Sequence, residues 1–186
     1  SAVLAGTSGL AAAIDSAVVA GYRNCARANA SFIGGGFCNE TRGARSSIVG
    51  GLYNHACGNY SFIGGGYVNA TCNGSLYSAV LGGRQNTASR HCSSVAGGRK
   101  NCSCNAASFI GGGYNNVAKG DCSSIVGGQS NSITHNHSHI IGSHISSVAT
   151  GTLHANCLFL GNIPDSNAGL VAGQVYRDSN TLKIKT

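Results

Sequence analysis

The sequence predicts an all-β protein, a parallel β-solenoid (β-roll) of about ten short coils. A phrase of the form Ser-x-Ile/Val-x-Gly-Gly-x-x-Asn recurs with a period of fifteen residues along most of the chain. The third residue of each copy is β-branched, which is typical of strands, and the Gly and Asn that follow are typical of turns. Copies this short and this alike cannot each form a core. We therefore expect them to stack coil upon coil, with parallel strands pairing between neighbours.

The repeat begins ten times, and its residues are numbered as positions 1–15 from each starting serine. The copies start at Ser1, Ser16, Ser31, Ser46, Ser61, Ser78, Ser93, Ser108, Ser123 and Ser138. One short strand and a return are predicted for each copy. Two extra residues in the fifth copy, near Cys72 to Tyr77, are expected to bulge from a turn without breaking the stack. Asn at position 9 of eight copies is expected to form a ladder of stacked side-chain amides.

The repeat defines a solenoid domain over residues 1–152 and leaves residues 153–186 as a second segment. This segment is predicted to be a small C-terminal β cap, because a solenoid must cover its last apolar coil. Within it, VYR and TLKI flank Asp178-Ser179-Asn180 and predict a β-hairpin.

Positions 2 and 4 of the repeat compensate each other in volume. Phe32 at position 2 is followed by Gly34 at position 4, whereas Ser47 is followed by Val49. These positions lie on the strand face opposite to position 3, and matched volumes are typical of a close-packed layer. A coil of this size has only one interior. The second face is therefore expected to meet copies of itself around a symmetry axis, which predicts an oligomer.

The segments SFIGGGYVNATCNG and SSIVGGLYNHACGNYS resemble the head repeats of YadA-type trimeric autotransporter adhesins, and they are similar to repeats of viral tail and surface fibres. The resemblance implies a left-handed parallel β-roll that assembles as a homotrimer. It also implies an extracellular location, on a virion or cell surface, and a fibre or head domain that displays a rigid surface for host or cell attachment. The repeat is one residue longer than the adhesin repeat and carries cysteines.

Two other function classes compete with attachment. A purely structural filament or spacer without a specific ligand is the alternative to the attachment domain. An enzyme is not expected, because the acidic residues are isolated in the sequence and form no pair suited to glycosidase chemistry. These residues are Asp15, Glu40, Asp121, Asp165 and Asp178.

The chain of 186 residues carries a formal net charge of +7. This charge suits a cell-surface glycan or another anionic surface, and charge that merely keeps a long rod soluble is the alternative. Binding of nucleic acid is not expected. Membrane insertion is not expected either, because no run of residues is long and apolar enough to span a bilayer.

Position 7 carries aromatic residues and arginines in successive copies. The candidate binding residues are Tyr22, Phe37, Tyr67, Arg84, Arg99 and Tyr114. Stacked in one column, they could form a platform for sugar rings or bases. The alternative interpretation is that they fill a groove between the chains of the oligomer.

The segment Thr134–His139 contains three alternate histidines, His135, His137 and His139. On an extended segment these side chains would share a face. Two imidazoles from each of three chains would offer six nitrogens to a transition-metal ion on a three-fold axis. No other cofactor is predicted, and an exposed, solvated histidine run is the alternative.

Nine cysteines point to an oxidising environment. Cys57 and Cys72 both occupy position 12 of successive coils, so stacking would place their Cα atoms about one strand spacing apart. That spacing lies within disulfide range and predicts a bond between them. The predicted glycosylation sites are the turn residues Asn29, Asn59, Asn73 and Asn136, which lie in N-x-Ser sequons outside the position-9 ladder.

Overall fold

A computed structural model of the chain describes residues 1–157 and two further strands, Val175–Asp178 and Thr181–Ile184. All regular secondary structure in these described residues is β-strand. Residues Ser1–Asn156 form one compact unit, and Cys157–Thr186 belong to a second. The predicted parallel β-solenoid of about ten coils is confirmed for the first unit.

The strands are short and are numbered along the chain. Their bounds are β1 (Ala2–Val3), β2 (Leu10–Ala11), β3 (Ala17–Val18), β4 (Cys25–Ala26), β5 (Phe32–Ile33), β6 (Glu40–Thr41), β7 (Ser47–Ile48), β8 (His55–Ala56), β9 (Phe62–Ile63), β10 (Ala70–Thr71), β11 (Ala79–Val80), β12 (Thr87–Ala88), β13 (Ser94–Val95), β14 (Cys102–Ser103), β15 (Phe109–Ile110), β16 (Val117–Ala118), β17 (Ser124–Ile125), β18 (Ser132–Ile133), β19 (His139–Ile141), β20 (Leu153–Ala155), β21 (Val175–Asp178) and β22 (Thr181–Ile184).

Each of the first nine coils contributes two strands, so the prediction of one strand per copy is wrong. The odd-numbered strands β1 to β19, followed by β20, form the first sheet, and the even-numbered strands β2 to β18 form the second. Neighbouring strands in both sheets pair in parallel. The first sheet uses positions 2 and 3 of the repeat, and the second uses positions 10 and 11. Position 11 is mostly alanine, threonine or serine, so the second strand lacks the large apolar residues that mark the first.

The core is a thin layer between the two sheets. Position 3 supplies its large side chains, all at most 1 % exposed from the second coil onward: Val18, Ile33, Ile48, Ile63, Val80, Val95, Ile110, Ile125 and Ile140. Position 11 supplies smaller residues such as Ala26, Ala56 and Ala118 to the same core cluster. Burial of each isoleucine stabilises the stack by roughly 2 kcal/mol. The predicted inward orientation of position 3 is confirmed.

Asparagine at position 9 ties each coil to its neighbours. The backbone N–H of Asn116 donates to Oδ1 of Asn101 in the preceding coil at 3.0 Å. Its Nδ2 donates to the carbonyl of Gly112 in its own coil at 3.0 Å and to that of Gly128 in the next coil at 2.9 Å. The pattern repeats in the other central coils, and all eight asparagines are at most 1 % exposed. The predicted amide ladder is confirmed.

The two glycines of the Gly-Gly pair differ in whether the structure requires glycine. Gly113, at position 6, has a φ of +89°, a backbone conformation that side chains rarely adopt. A Cβ atom there would also collide with the carbonyl oxygen of Gly128 in the next coil. At Gly112 a Cβ atom would meet no atom within 4 Å. Gly113 therefore has to be glycine, whereas Gly112 has room for an alanine side chain.

The two-residue insertion leaves the stack intact. Strands β9 and β11 pair across it with Phe62 opposite Ala79, and strands β10 and β12 pair with Ala70 opposite Thr87. The extra residues form an exposed turn around Gly74, whose φ is +81°. The predicted bulge is confirmed.

The roll extends further than the predicted boundary at residue 152, because β20 pairs in parallel with β19 and carries the first sheet to Ala155. In the second unit, β21 and β22 pair antiparallel with Asp178 opposite Thr181, which confirms the predicted hairpin pairing. The capping role of residues 153–186 depends largely on residues 158–174, 179–180 and 185–186, which lie outside the described residues. That role stays a prediction.

We expect Gly113→Ala to lower the free energy of unfolding by more than about 2 kcal/mol, because the left-handed backbone and the neighbouring coil both oppose a Cβ atom. Gly112→Ala is the matched control and is expected to stay within about 1 kcal/mol of the parent. Denaturant unfolding of both variants measures the difference. An equal loss in the two variants would contradict the role assigned to position 6.

Candidate binding surface

One edge of the roll carries positions 7 and 8 of each coil, between the first sheet and the second. We call these residues the edge column. The position-7 residues of successive coils pair as single parallel bridges in the order Thr7, Tyr22, Phe37, Leu52, Tyr67, Arg84, Arg99, Tyr114 and Gln129. All six candidate binding residues therefore lie in one stack. Their role in binding a ligand stays a prediction.

Backbone hydrogen bonds hold the edge column in register. The N–H of Arg84 donates to the carbonyl of Gly98 in the next coil at 2.9 Å, and the N–H of Lys100 donates to the carbonyl of Arg84 at 2.9 Å. The backbone at position 8 is left-handed, with a φ of 58° at Lys100. This sharp turn leaves both Arg99 and Lys100 exposed at the corner of the coil.

The first half of the edge column is aromatic. The rings of Tyr22 and Phe37 stack with centroids 5.3 Å apart and planes 19° apart. Tyr53 at position 8 contacts Phe37 edge-on at 5.4 Å and Tyr67 at 6.2 Å. Such pairs each contribute about 0.5–1.5 kcal/mol beyond their buried area. Tyr53 and Tyr67 are nevertheless 41 % and 39 % exposed, so these rings pack on one another and still present surface to solvent.

The second half of the edge column is cationic. Cζ of Arg84 lies 5.3 Å from the centroid of the Tyr67 ring, and Cζ of Arg99 lies 5.5 Å from that of Tyr114. An exposed cation–π contact of this kind contributes about 0.5–1 kcal/mol. Both guanidinium groups are thus positioned by aromatic rings and have no carboxylate partner among the described residues.

Unlike the arginines of the edge column, the arginines near Glu40 on the second sheet are paired with a carboxylate. The Glu40 carboxylate accepts hydrogen bonds from Arg27 and Arg42, and Nδ1 of His55 lies 3.5 Å from it. Burial raises the pKa of Glu40, but the hydrogen bonds from Arg42 and Arg27 outweigh it and hold the pKa below its usual value. Ion pairs among the described residues occur only in this network, so the cations of the edge column stay unpaired there.

Position 8 contributes three residues to the edge column that the repeat pattern does not single out: Arg23, Tyr53 and Lys100. Arg23 lies 5.1 Å from the ring centroid of Tyr22. Each of these position-8 residues directly precedes an asparagine of the ladder, and this spacing could have identified them from the sequence. A buried asparagine at position 9 leaves position 8 at the outer corner of the coil.

The three histidines predicted as metal ligands do not share a face. Nδ1 of His135 lies 2.9 Å from Oγ of Ser147, and Nδ1 of His139, on the outer face of the first sheet, lies 2.7 Å from Oγ of Ser124. His137 occupies the corner at position 15 with a φ of 54°, so the segment is not extended as assumed. No group of three His, Cys, Asp or Glu side chains comes together within the described residues. A site shared between chains stays a prediction.

The predicted disulfide partners, Cys57 and Cys72, directly follow the paired strands β8 and β10, and both are free thiols. Burial raises the pKa of each thiol, which keeps it protonated at neutral pH and slows its oxidation. The structure instead bonds Cys102 to Cys104, alternate residues whose Cα atoms lie 5.3 Å apart. A bond between Cys57 and Cys72 stays a prediction.

The four predicted glycosylation sites, Asn29, Asn59, Asn73 and Asn136, are all exposed. Two of them also bond to the preceding coil: Oδ1 of Asn59 accepts the N–H of Ala44, and Oδ1 of Asn136 accepts that of Asp121, both at 2.9 Å. The asparagines of the ladder are buried and therefore poor acceptors. Modification of the exposed four stays a prediction.

Comparison with known proteins matched neither a protein-family model nor a curated sequence. In the part of the chain that the structure describes, no helix is long and apolar enough to cross a lipid bilayer.

In protein produced in an oxidising compartment, we expect a disulfide between Cys57 and Cys72, because their stacked positions bring the Cα atoms within disulfide range. Peptide mapping without reduction should recover the two peptides joined. Cys92 and Cys122, at position 15 two coils apart, are the internal control, because a separation of about 10 Å is too long for a disulfide within one chain. Recovery of Cys57 and Cys72 as alkylated thiols would reject the bond.

Proposed function

We propose that this chain is a non-enzymatic head or fibre module of a virion or cell surface, which assembles as a homotrimer and displays a rigid surface for attachment. The observation that carries the proposal is an uncovered apolar stripe on the outer face of the first sheet. We call positions 2 and 4 of this sheet the assembly face. Its exposed apolar members are Leu4, Phe32, Val49, Leu81, Phe109, Val126 and Ile141.

The assembly face leaves large side chains in water in the single chain. Leu81 and Val126 are each 58 % exposed. Because equivalent positions of successive coils stack, these side chains form a continuous stripe along the roll. Soluble monomers rarely expose contiguous apolar surface of this kind, and a larger patch marks an interaction site.

The volumes at positions 2 and 4 compensate each other in most coils, although Ser94 and Ala96 are both small in the seventh coil. The ring of Phe109 lies over Gly111, where a Cβ atom would be 3.6 Å from its Cε1, and Phe32 lies over Gly34 in the same way. In a coil with a small residue at position 2, Val126 supplies the volume at position 4 instead. A Cβ atom at Gly111 would also collide with the carbonyl oxygen of Val126 in the next coil, so the stacking of the coils requires glycine there as well. The apolar volume that stays exposed on this face fits a packed interface.

A second copy of the same chain is the occupant that fits a repetitive face. Around a rotation axis parallel to the roll, each coil meets the same coil of its partners, so layers of equal volume meet. The resemblance of the repeats to trimeric adhesin heads supports three-fold symmetry. A spacer without a ligand is the second candidate function. The unpaired cations of the edge column favour attachment.

Leu81→Lys combined with Val126→Lys is expected to convert the trimer into a folded monomer, because burying two ammonium groups per chain in an apolar interface opposes association. Light scattering after gel filtration should give three times the chain mass of 18.6 kDa for the parent and a single chain mass for the variant. Ile14→Lys is the control, since Ile14 is apolar, 71 % exposed and outside the assembly face.

A parent protein that is a monomer or a dimer would reject the trimer, and a double variant that stays trimeric would place the interface elsewhere. Exposure of the intact trimer to a glycan array separates the two candidate functions. Binding to a defined subset of glycans supports attachment, and uniform absence of binding supports the spacer.

A further inference from the structure

The cations of the edge column lie apart from the acidic groups of the roll. Arg23, Arg84, Arg99 and Lys100 occupy positions 7 and 8. The carboxylates within residues 1–157 lie elsewhere: Asp15 at position 15, Glu40 on the second sheet and Asp121 at position 14, where its Oδ1 accepts the N–H of Ala106 at 3.2 Å. Three of the four cations, Arg84, Arg99 and Lys100, fall in two adjacent coils.

Arg84 and Arg99 are directly opposite each other in adjacent coils, paired as a parallel bridge. Like charges opposite each other on neighbouring strands repel and lower stability. The two guanidinium groups are held by different rings, Arg84 on Tyr67 of the preceding coil and Arg99 on Tyr114 of the following coil. Each arginine is therefore held by its own ring, and the two guanidinium groups come from adjacent coils on one exposed corner of the roll.

A guanidinium stacked on an aromatic ring keeps its N–H donors available in its own plane. Two such groups and the ammonium of Lys100 offer charged donors on one exposed corner, already ordered by their rings and by the backbone bonds of the column. Carboxylate and sulfate groups match this donor set, because they accept paired hydrogen bonds from arginine. An anion bound by both arginines would also relieve the repulsion between them.

We propose that Arg84, Arg99 and Lys100 together bind the carboxylate or sulfate groups of an acidic polysaccharide. This inference rests on the proposed attachment function and names the ligand class of that surface. The neutral part of the column, from Phe37 to Val68, then contacts uncharged portions of the same polymer.

A polysaccharide fits the column better than a single-stranded nucleic acid does. Binding of single strands depends on a series of aromatic faces for successive bases, and the aromatic series at position 7 is interrupted by Leu52, Arg84 and Arg99. It also depends on cations that follow a continuous line of phosphates. Between Arg23 and Arg84 the column carries no cation, so charge is offered at separated points.

The test compares Arg84→Gln/Arg99→Gln with Arg45→Gln/Arg90→Gln, a control that removes the same charge outside the edge column. Heparin, polygalacturonate, neutral dextran and single-stranded oligothymidylate serve as probes, at an ionic strength of about 0.15 M. The parent trimer should bind heparin or polygalacturonate but not dextran. Loss of Arg84 and Arg99 should weaken that binding at least about tenfold, and the control should weaken it less than about threefold.

Each of the other outcomes overturns the inference. Equal weakening by the control pair would show diffuse charge attraction, and stronger binding of oligothymidylate would identify a nucleic-acid ligand. A change in oligomeric mass on loss of Arg84 and Arg99 would assign the column to the chain interface. A trimer of confirmed mass that binds neither acidic polymer would reject this inference alone, whereas a monomeric parent would reject the proposed assembly.

Discussion

The buried contact between the stacked asparagines and the Gly-Gly turns is the interaction on which the rest of this structure depends. Asn101 donates to the carbonyls of Gly97 and Gly113 in two successive coils, and its Oδ1 accepts the backbone N–H of Asn116. The Asn101 side chain is buried, so its removal leaves the backbone N–H of Asn116 without that acceptor in a site shielded from water. Each rung therefore fixes both the turn of its own coil and the register of the next.

This register turns the repeat into straight columns of side chains. The same position in successive coils recurs about every 4.8 Å, so the residues chosen at one position form one continuous strip of surface. Positions 1, 3, 6 and 9 face inward or close the turns and hardly vary. Positions 2, 4, 7 and 8 face outward, and there the chain carries its apolar assembly face and its aromatic and cationic edge column. The outward residues can thus change while the ladder and the core stay the same.

The features that could be predicted from the sequence are those that depend on repeat spacing alone. Position 3 faces inward, neighbouring coils pair in parallel, and the insertion loops out, as its spacing indicates. The second strand of each coil was missed because its inward residues are small, as at Ala118, and small residues carry a weak strand signal.

Backbone conformation at the corners could not be predicted, because residue type does not determine it there. Arg45, Tyr53 and His137 have left-handed φ angles of 55°, 57° and 54°, although such side chains are disfavoured in that region. Hydrogen bonds from adjacent coils, such as that from the N–H of Tyr53 to the carbonyl of Phe37 at 3.0 Å, impose the conformation. This left-handed backbone is why the alternate histidines do not share a face. It is also why the residues at position 8 lie in the edge column.

Equilibrium unfolding of an Asn101→Ala variant tests the ladder most directly. We predict a loss of more than about 3 kcal/mol, because the N–H of Asn116 and two glycine carbonyls lose buried partners together. Asn73→Ala, at an exposed residue of the inserted turn, is the control and should stay within about 0.5 kcal/mol of the parent. If the Asn101→Ala protein unfolds like the parent, the amide ladder does not hold the coils together.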